Sequence, residues 1–291
     1  MRALIVPLLF ALAIQPAGYR AGIEEFRKHR AEEISGPTGW AALVGLHWLT
    51  TGQEYVVGSD AISGIRLTGP SAPGRFLTIN VGADSVHMRV STGLDATYKG
   101  QPVTAEFDMP PGLAANDGLK FGGLTLVVLR RGPRLALRVW DAKAPNRVAF
   151  KGLNWMPVDL RWRISARWEP HPRTQPRMKV MNVLGETVDM QNPGAVIFAV
   201  GGKPYRLEAL LETDDAKELF FIFKDETSNK TTYGAGRYLY APLQKNGRVE
   251  MDFNKAKNPP CVFTDFATCP LPPAANRLAV AVTAGELDYK K

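Results

Sequence analysis

Side chains suited to anion binding or acid–base chemistry are concentrated in the C-terminal part of the chain. Arg237 offers a planar fork of N–H donors that matches a carboxylate or a phosphate. Asp225 supplies a carboxylate that orients this guanidinium, and Asp252 is a further binding residue; in a hydrolase, either Asp225 or Asp252 is the general base beside Arg237. Tyr233 adds a ring that stacks or hydrogen-bonds. The combination predicts a binding or hydrolytic site around Arg237.

Two asparagines extend this set. Asn254 is expected to orient Arg237 together with Asp225, and Asn258 opens a prolyl segment. Arg–Asp networks also occur only to hold loops in place, so a structural interpretation stays open. If the residues bind a ligand, Arg237→Ala abolishes binding and leaves the melting temperature nearly intact. If they are structural, the same change lowers stability and leaves binding unchanged.

Several catalytic motifs are absent from the sequence. It has no Gly-x-Ser-x-Gly elbow, no His-Glu-x-x-His, no phosphate-binding glycine loop and no dinucleotide fingerprint. Asp225 and Glu226 are adjacent, so on a strand they would point to opposite faces, which weakens a two-carboxylate hydrolase. The four histidines are scattered, and none stands at ligand spacing from a cysteine. We therefore predict neither a metal nor another cofactor.

The N-terminus has the features of a secretory signal peptide, predicted over residues 1–18. Arg2 precedes a short apolar run that ends in Ala11-Leu12-Ala13, which suits a signal peptidase. The run is too short for a membrane span, which needs about 20 apolar residues. We expect a periplasmic or secreted protein without a stable membrane span after cleavage, and an uncleaved anchor is the alternative.

The chain contains two cysteines, Cys261 and Cys269. In an exported protein, two cysteines this close in sequence most simply form one disulfide that closes a small loop. A metal site is the alternative, and the scattered histidines give it little support.

The net charge of +8 suggests an anionic partner. The basic residues are dispersed and alternate with apolar ones, as on a solvated strand face, and no basic run is present. A nucleic-acid partner is therefore not expected. Attraction to an anionic cell envelope is sufficient to explain the charge.

A mostly β framework is predicted to position these residues. Ile23, Phe26 and Arg30 recur at helical spacing, whereas the later segments are short apolar runs between Gly-, Pro- and Asp-rich turns. The expected units are an amphipathic helix (19–36), a β-sandwich (37–140), connecting strands and a linker (141–176), and a second β-sandwich or barrel (177–291). Gly201-Gly202 marks the clearest hairpin, since paired glycines supply the positive φ angles of a two-residue turn.

The first of these β units resembles a forkhead-associated sandwich. The resemblance rests on the runs Val57–Asp60, Ile65–Leu67, Val86–Val90 and Leu124–Val128. That family binds phosphothreonine through an arginine after the first glycine, a Ser-x-x-His element and an asparagine before a later glycine. Here Ser59 stands in the place of the arginine and Lys99 in the place of the asparagine, and the Ser-x-x-His element is missing. The resemblance implies the fold and argues against the ligand.

The C-terminal motifs resemble family sixteen-eighty-four of the domain-of-unknown-function series. The segments are Phe-Lys-Asp-Glu-Thr-Ser from Phe223, Thr-Tyr-Gly-Ala-Gly-Arg-Tyr-Leu from Thr232, Asn-Pro-Pro-Cys from Asn258, Cys-Pro-Leu-Pro-Pro from Cys269, and Ala-Gly-Glu from Ala284. Upstream motifs extend the resemblance over nearly the whole mature chain. The resemblance to this family implies no particular reaction.

These observations favour a binding module for a small or envelope-derived ligand in the C-terminal domain. A hydrolase that uses Asp225 or Asp252 beside Arg237 is one alternative. Another is an envelope protein-interaction module, which would expose an apolar or basic patch over residues 58–131.

Overall fold

The computed structural model describes residues 17–289 except 173, 175 and 176. Nearly all of the predicted signal peptide lies outside these residues. The helices are α1 (Ala17–Ser35) and the short α2 (Pro145–Val148). Within the described part of the chain, neither is long and apolar enough to cross a membrane.

Helix α1 confirms the predicted amphipathic helix. Ile23 and Ile34 are buried against the rest of the molecule, and most of the charged side chains between them face solvent. Arg30 lies on the buried face and is only 3% exposed. The helix ends where Gly36 donates its N–H to the carbonyl of Glu32, just before Pro37, which cannot continue the hydrogen-bond ladder.

The first β unit is a sandwich of two sheets. One sheet has the strand order β1-β11-β10-β9-β6-β7, and the other has the order β3-β2-β4-β5-β8. The strands are β1 (Leu43–Leu49), β2 (Glu54–Gly58), β3 (Ile65–Arg66), β4 (Leu77–Val81), β5 (Val86–Val90), β6 (Ala96–Tyr98), β7 (Gln101–Pro102), β8 (Phe107–Met109), β9 (Leu119–Phe121), β10 (Leu124–Arg131) and β11 (Arg134–Asp141).

Period-two patterning explains this packing. In β4, Leu77, Ile79 and Val81 are buried while the residues between them are not, which gives the sheet one apolar face. These side chains meet Leu126 and Leu137 of the opposite sheet in a shared core. Burial of each such side chain contributes about 1.5–3 kcal/mol.

The second β unit is one nearly closed, barrel-like sheet. Its order is β17-β16-β15-β14-β12-β18, with β13 paired to the far end of β14, and β17 contacts β18. The strands are β12 (Arg163–Pro170), β13 (Met178–Met181), β14 (Thr187–Val200), β15 (Lys203–Leu211), β16 (Glu218–Phe223), β17 (Arg237–Pro242) and β18 (Arg248–Asp252). This mostly β architecture, with a preceding helix, confirms the predicted fold class.

The second sheet begins earlier in the chain than residue 177, where the second β unit was expected to start. Strand β12 lies in the segment predicted to connect the two domains, but it pairs with both β14 and β18 inside the second sheet. That sheet therefore begins before residue 177. The hairpin at Gly201-Gly202 is present as predicted, with φ angles of 57° and 77° and Val200 opposite Lys203.

After β18 the chain packs onto the barrel without regular strands. Short 3-10 turns at Phe253–Lys255, Pro260–Val262 and Ala274–Asn276 shape this segment. The Asn276 side chain donates to the carbonyls of Glu208 and Ile222 at 2.9 and 3.0 Å. These bonds fix the tail to β15 and β16.

Candidate functional site

Arg237 and Asp225 form an ion pair that is closed to solvent. Arg237 is 1% exposed, and its Nη2 lies 2.8 Å from Asp225 Oδ2. The guanidinium also donates to the carbonyls of Ala284 and Val282 and faces the ring of Phe223. Burial lowers the pKa of Arg237, and the charge of Asp225 opposes that shift. This sealed geometry favours the structural interpretation left open by the sequence.

Asp252 and Asn254 lie elsewhere, at the start of α1. Tyr19 donates its hydroxyl proton to Asp252 Oδ1 at 2.9 Å. Asn254 Nδ2 donates to the same hydroxyl at 3.0 Å and to the carbonyl of Asp159 at 2.8 Å. Burial and the neighbouring Asp252 raise the pKa of Tyr19. The structure therefore brings these two predicted residues to the helix instead of to Arg237.

The predicted disulfide between Cys261 and Cys269 is not formed in the structure. The Sγ of Cys269 accepts the backbone N–H of Cys261 at 3.1 Å. A hydrogen bond with Cys261 and burial raise the pKa of the Cys269 thiol. The Tyr233 hydroxyl lies 3.8 Å from Cys261 Sγ, and its ring packs near Phe263.

Asn258 joins α1 to the end of the chain. Its backbone N–H and its Nδ2 donate to the two oxygens of Glu286 at 3.1 and 2.9 Å, and Nδ2 also donates to the Leu287 carbonyl at 2.7 Å. Arg30 Nη2 donates to the Asn258 carbonyl at 2.8 Å. Burial raises the pKa of Glu286 to about 7, against the opposing effects of Arg30 and Asn258.

Asn258 also lines a cavity of about 410 Å³ where α1, the first sandwich and the barrel meet. We call it the cationic cavity, because four basic side chains face two carboxylates in its lining. Its lining residues are Arg30, Glu33, Trp40, Arg131, Arg138, Glu212, Tyr238, Tyr240, Lys257, Asn258, Pro260, Ala267, Thr268, Cys269 and Pro270.

Arg138 is the most unusual of these residues. Its guanidinium lies 5.5 Å from the ring centroid of Trp40 and 5.6 Å from that of Trp140, on β11. Among the described residues it has no ion pair, and its buried Nε has no hydrogen-bond partner. Burial and nearby Arg131 lower the pKa of Arg138 to about 10. The guanidinium thus stays charged at neutral pH without a counter-ion.

Lys257 is a second cation without a partner. Its Nζ lies 4.8 Å from the ring centroid of Tyr240 and makes no hydrogen bond or ion pair with a residue that the structure describes. Burial and the like charge of Arg30 lower the pKa of Lys257.

The acidic side chains only partly balance these cations. Glu33 pairs with Arg30 at 2.9 Å. Burial alone would raise the pKa of Glu33, but Arg30 and Lys257 outweigh it and lower the pKa. Arg131, Arg138 and Lys257 are the lining cations that make no ion pair with a described carboxylate, and the charges of Glu33 and Glu212 act on Lys257 from beyond ion-pair distance. Over the described ranges, no group of His, Cys, Asp and Glu side chains is arranged to hold a metal ion.

Of the predicted binding residues, the structure places only Asn258 in this cavity. Sequence reasoning missed Arg30, Arg138 and Lys257. One signal was present for Arg30, since a basic residue stood on the apolar stripe of the helix. Arg138 alternates with apolar neighbours on β11 and so resembled an ordinary solvated residue.

Comparison with known proteins found one family model, described as "Protein of unknown function (DUF1684)", which matches residues 148–287. No curated protein matches the chain.

Two solved structures are similar to parts of the chain. An uncharacterized protein of Haloarcula marismortui, solved by NMR, is 31% identical; the match covers 48% of this chain and 78% of that one, with a TM-score of 0.41. An FHA domain from Chlamydia trachomatis is 18% identical over 34% of this chain and 95% of that one, with a TM-score of 0.24. TM-scores this low carry no argument about the site.

Proposed function

Because the chain belongs, through residues 148–287, to the family described as "Protein of unknown function (DUF1684)", its function has to be argued from its own site, and we propose that it binds a small anionic ligand in the cationic cavity. The observation that carries this proposal is the presence in one cavity of Arg138 and Lys257, neither of which forms an ion pair with a described carboxylate.

Arg138 and Lys257 carry charges that are partly withdrawn from water. A half-buried cation loses hydration, and this cost is normally offset by a carboxylate partner or by hydrogen bonds. Arg138 has only the faces of Trp40 and Trp140, which offset part of the cost through cation–π attraction. A bound carboxylate or phosphate would supply the missing partner, and a guanidinium matches both groups with two donors.

We also propose that the protein is exported and that its ligand comes from the cell envelope. The N-terminal sequence pattern and the net charge of +8 support this location. In an oxidising compartment the adjoining thiols of Cys261 and Cys269 would form the disulfide expected from the sequence. Cys269 lines the cationic cavity, so this bond would brace one of its walls.

The alternative functions gain no specific support. Asp225 is committed to Arg237, and Asp252 already accepts from Tyr19 and Asn254, so neither carboxylate is free to act as a base. In the range 58–131, Ile62 is the exposed large apolar side chain. One such residue does not make an interaction patch.

Calorimetric titration with sulfate and acetate tests the anion-binding proposal. We expect both anions to bind, and Arg138→Gln to weaken binding by about 10- to 100-fold, because charge-assisted hydrogen bonds contribute about 1.5–3 kcal/mol. Arg134→Gln is the matched control, since Arg134 lies on the same strand but is exposed and paired with Glu186. Equal losses in the two variants, or none in Arg138→Gln, would contradict the proposal.

A further inference from the structure

Lys257 stands at the junction of two cavities. Together with Tyr240 it lines both the cationic cavity and a second cavity of about 760 Å³ beneath the first turns of α1. Its backbone is held by Tyr238, which exchanges two hydrogen bonds with it at 2.8 and 2.9 Å. The residue is thus anchored through its backbone, and its side chain borders both cavities.

The surroundings of this amine lower its pKa, because burial and the like charge of Arg30 outweigh the opposing charges of Glu33, Glu212 and Glu286. Arg30 brings like charge to Lys257, and no described carboxylate lies within ion-pair distance of Nζ. Desolvation and a neighbouring cation are the two devices that activate lysine toward carbonyl groups in proteins. The lowered pKa of Lys257 agrees with this environment.

The same cavity contains the group that would hold a carbonyl compound in place. Arg138 lines it and lacks an anionic partner. A small oxo acid carries both required groups, a carboxylate for the guanidinium and a ketone or aldehyde for the amine. Simple carboxylates or neutral ketones would satisfy only one of them.

We propose that Lys257 forms an imine with small oxo acids bound in the cationic cavity, an inference that rests on the proposed anion binding and narrows its ligand class. The lone pair of Nζ attacks the carbonyl carbon, and a C–N bond replaces the C=O π bond. One amine proton moves to the carbonyl oxygen to give the carbinolamine. Its hydroxyl group then leaves with the remaining amine proton as one water molecule, the C–O bond breaks, and the C=N bond forms. No oxidant or reductant is consumed.

Borohydride trapping tests this step on the full chain. The protein is incubated with glyoxylate or pyruvate, reduced, digested and mapped by mass spectrometry. We expect the reduced adduct on Lys257 at near-stoichiometric level, with little on Lys255, which is exposed two residues away. Lys257→Met should remove this adduct, Lys255→Met should retain it, and circular dichroism verifies the fold of both variants. Labelling spread evenly over the lysines would overturn the inference.

Propionate separates the two proposals, since it has the carboxylate but lacks the carbonyl group. If propionate binds and competes with sulfate but pyruvate leaves no adduct on Lys257, the imine is refuted while anion binding stands. If neither acid binds, the proposed function itself fails. Arg138→Gln should reduce the labelling of Lys257 about tenfold at subsaturating pyruvate, in line with the loss of one charge-assisted contact. Unchanged labelling in that variant would refute the shared site.

Discussion

At the residue scale, the protonation of Glu286 alters the charge around the cationic cavity. Glu286 is fully buried behind Asn258, and burial raises its pKa to about 7. As the pH falls from 8 to 6, this carboxylate takes up a proton and a negative charge near the cavity disappears. This change favours anions at lower pH.

Sulfate affinity should therefore be higher at pH 6 than at pH 8, by roughly tenfold for a charge interaction at a partly buried site. Sulfate suits the measurement, because its own charge is constant over this range. In Glu286→Gln the change between pH 6 and 8 should be much smaller, with a fall remaining at higher pH as Lys257 loses its proton. Affinity that rises with pH in the wild-type protein would contradict this charge assignment.

Residue types alone did not identify the cavity. Arg237, Asp225 and Asp252 had the right chemistry, but the fold uses all three for internal contacts. Arg138 gave no signal, because the lack of a partner is a tertiary property that depends on what the neighbouring elements bring beside it. Asn258 was predicted because it opens an unusual proline-rich segment.

At the element scale, Arg237 attaches the C-terminal segment to the barrel. It starts β17, pairs with Asp225 after β16, and holds the carbonyls of Val282 and Ala284. These contacts connect parts of the chain that are 45 and 47 residues apart. A single guanidinium thus fixes the position of the tail that carries Glu286.

We expect Arg237→Ala to lower the free energy of unfolding by about 3–5 kcal/mol, because it leaves the buried carboxylate of Asp225 without its cationic partner. Sulfate affinity should stay near the wild-type value in the fraction that is folded. Chemical denaturation and calorimetry measure the two effects. Arg277→Ala is the control, an exposed arginine on the same tail. A stable variant that no longer binds sulfate would restore Arg237 as a ligand residue.

Elements with strong local signals were predicted well. Helix α1 followed from its apolar spacing, and the β14–β15 hairpin from its two glycines. The membership of β12 in the second sheet was not predictable, because its partners β14 and β18 are distant in sequence. Long-range strand pairing depends on the packing of the complete sheet, which local patterns do not encode.

At the scale of the whole molecule, the cationic cavity belongs to no single unit. Its lining combines Arg30 of α1, Arg138 of the first sandwich, and Tyr240 and Lys257 of the barrel unit. A ligand that contacts all three would restrict their relative motion. Binding is thus expected to stabilise the junction more than either sheet alone.

Hydrogen exchange with and without saturating sulfate measures this coupling. We expect slower exchange in α1, in β11 and in residues 257–270 together, because the ligand links them. In Arg138→Gln the protection of β11 should be lost. Protection confined to one of the three segments would show that the anion binds elsewhere.

The nearly closed barrel sheet limits edge-to-edge association between molecules when the protein is concentrated. The two end strands of its sheet, β17 and β18, lie against each other, and Tyr238 of β17 also pairs with Lys257, which follows β18 in the chain. Few backbone donors and acceptors of this sheet are therefore left as a template for a strand from another molecule. Three of the four end strands of the first sandwich, β3, β7 and β8, have only two or three residues and are too short to recruit a partner firmly, whereas the fourth, β1, has seven residues. The barrel sheet and these three edges are thus protected against edge-to-edge aggregation.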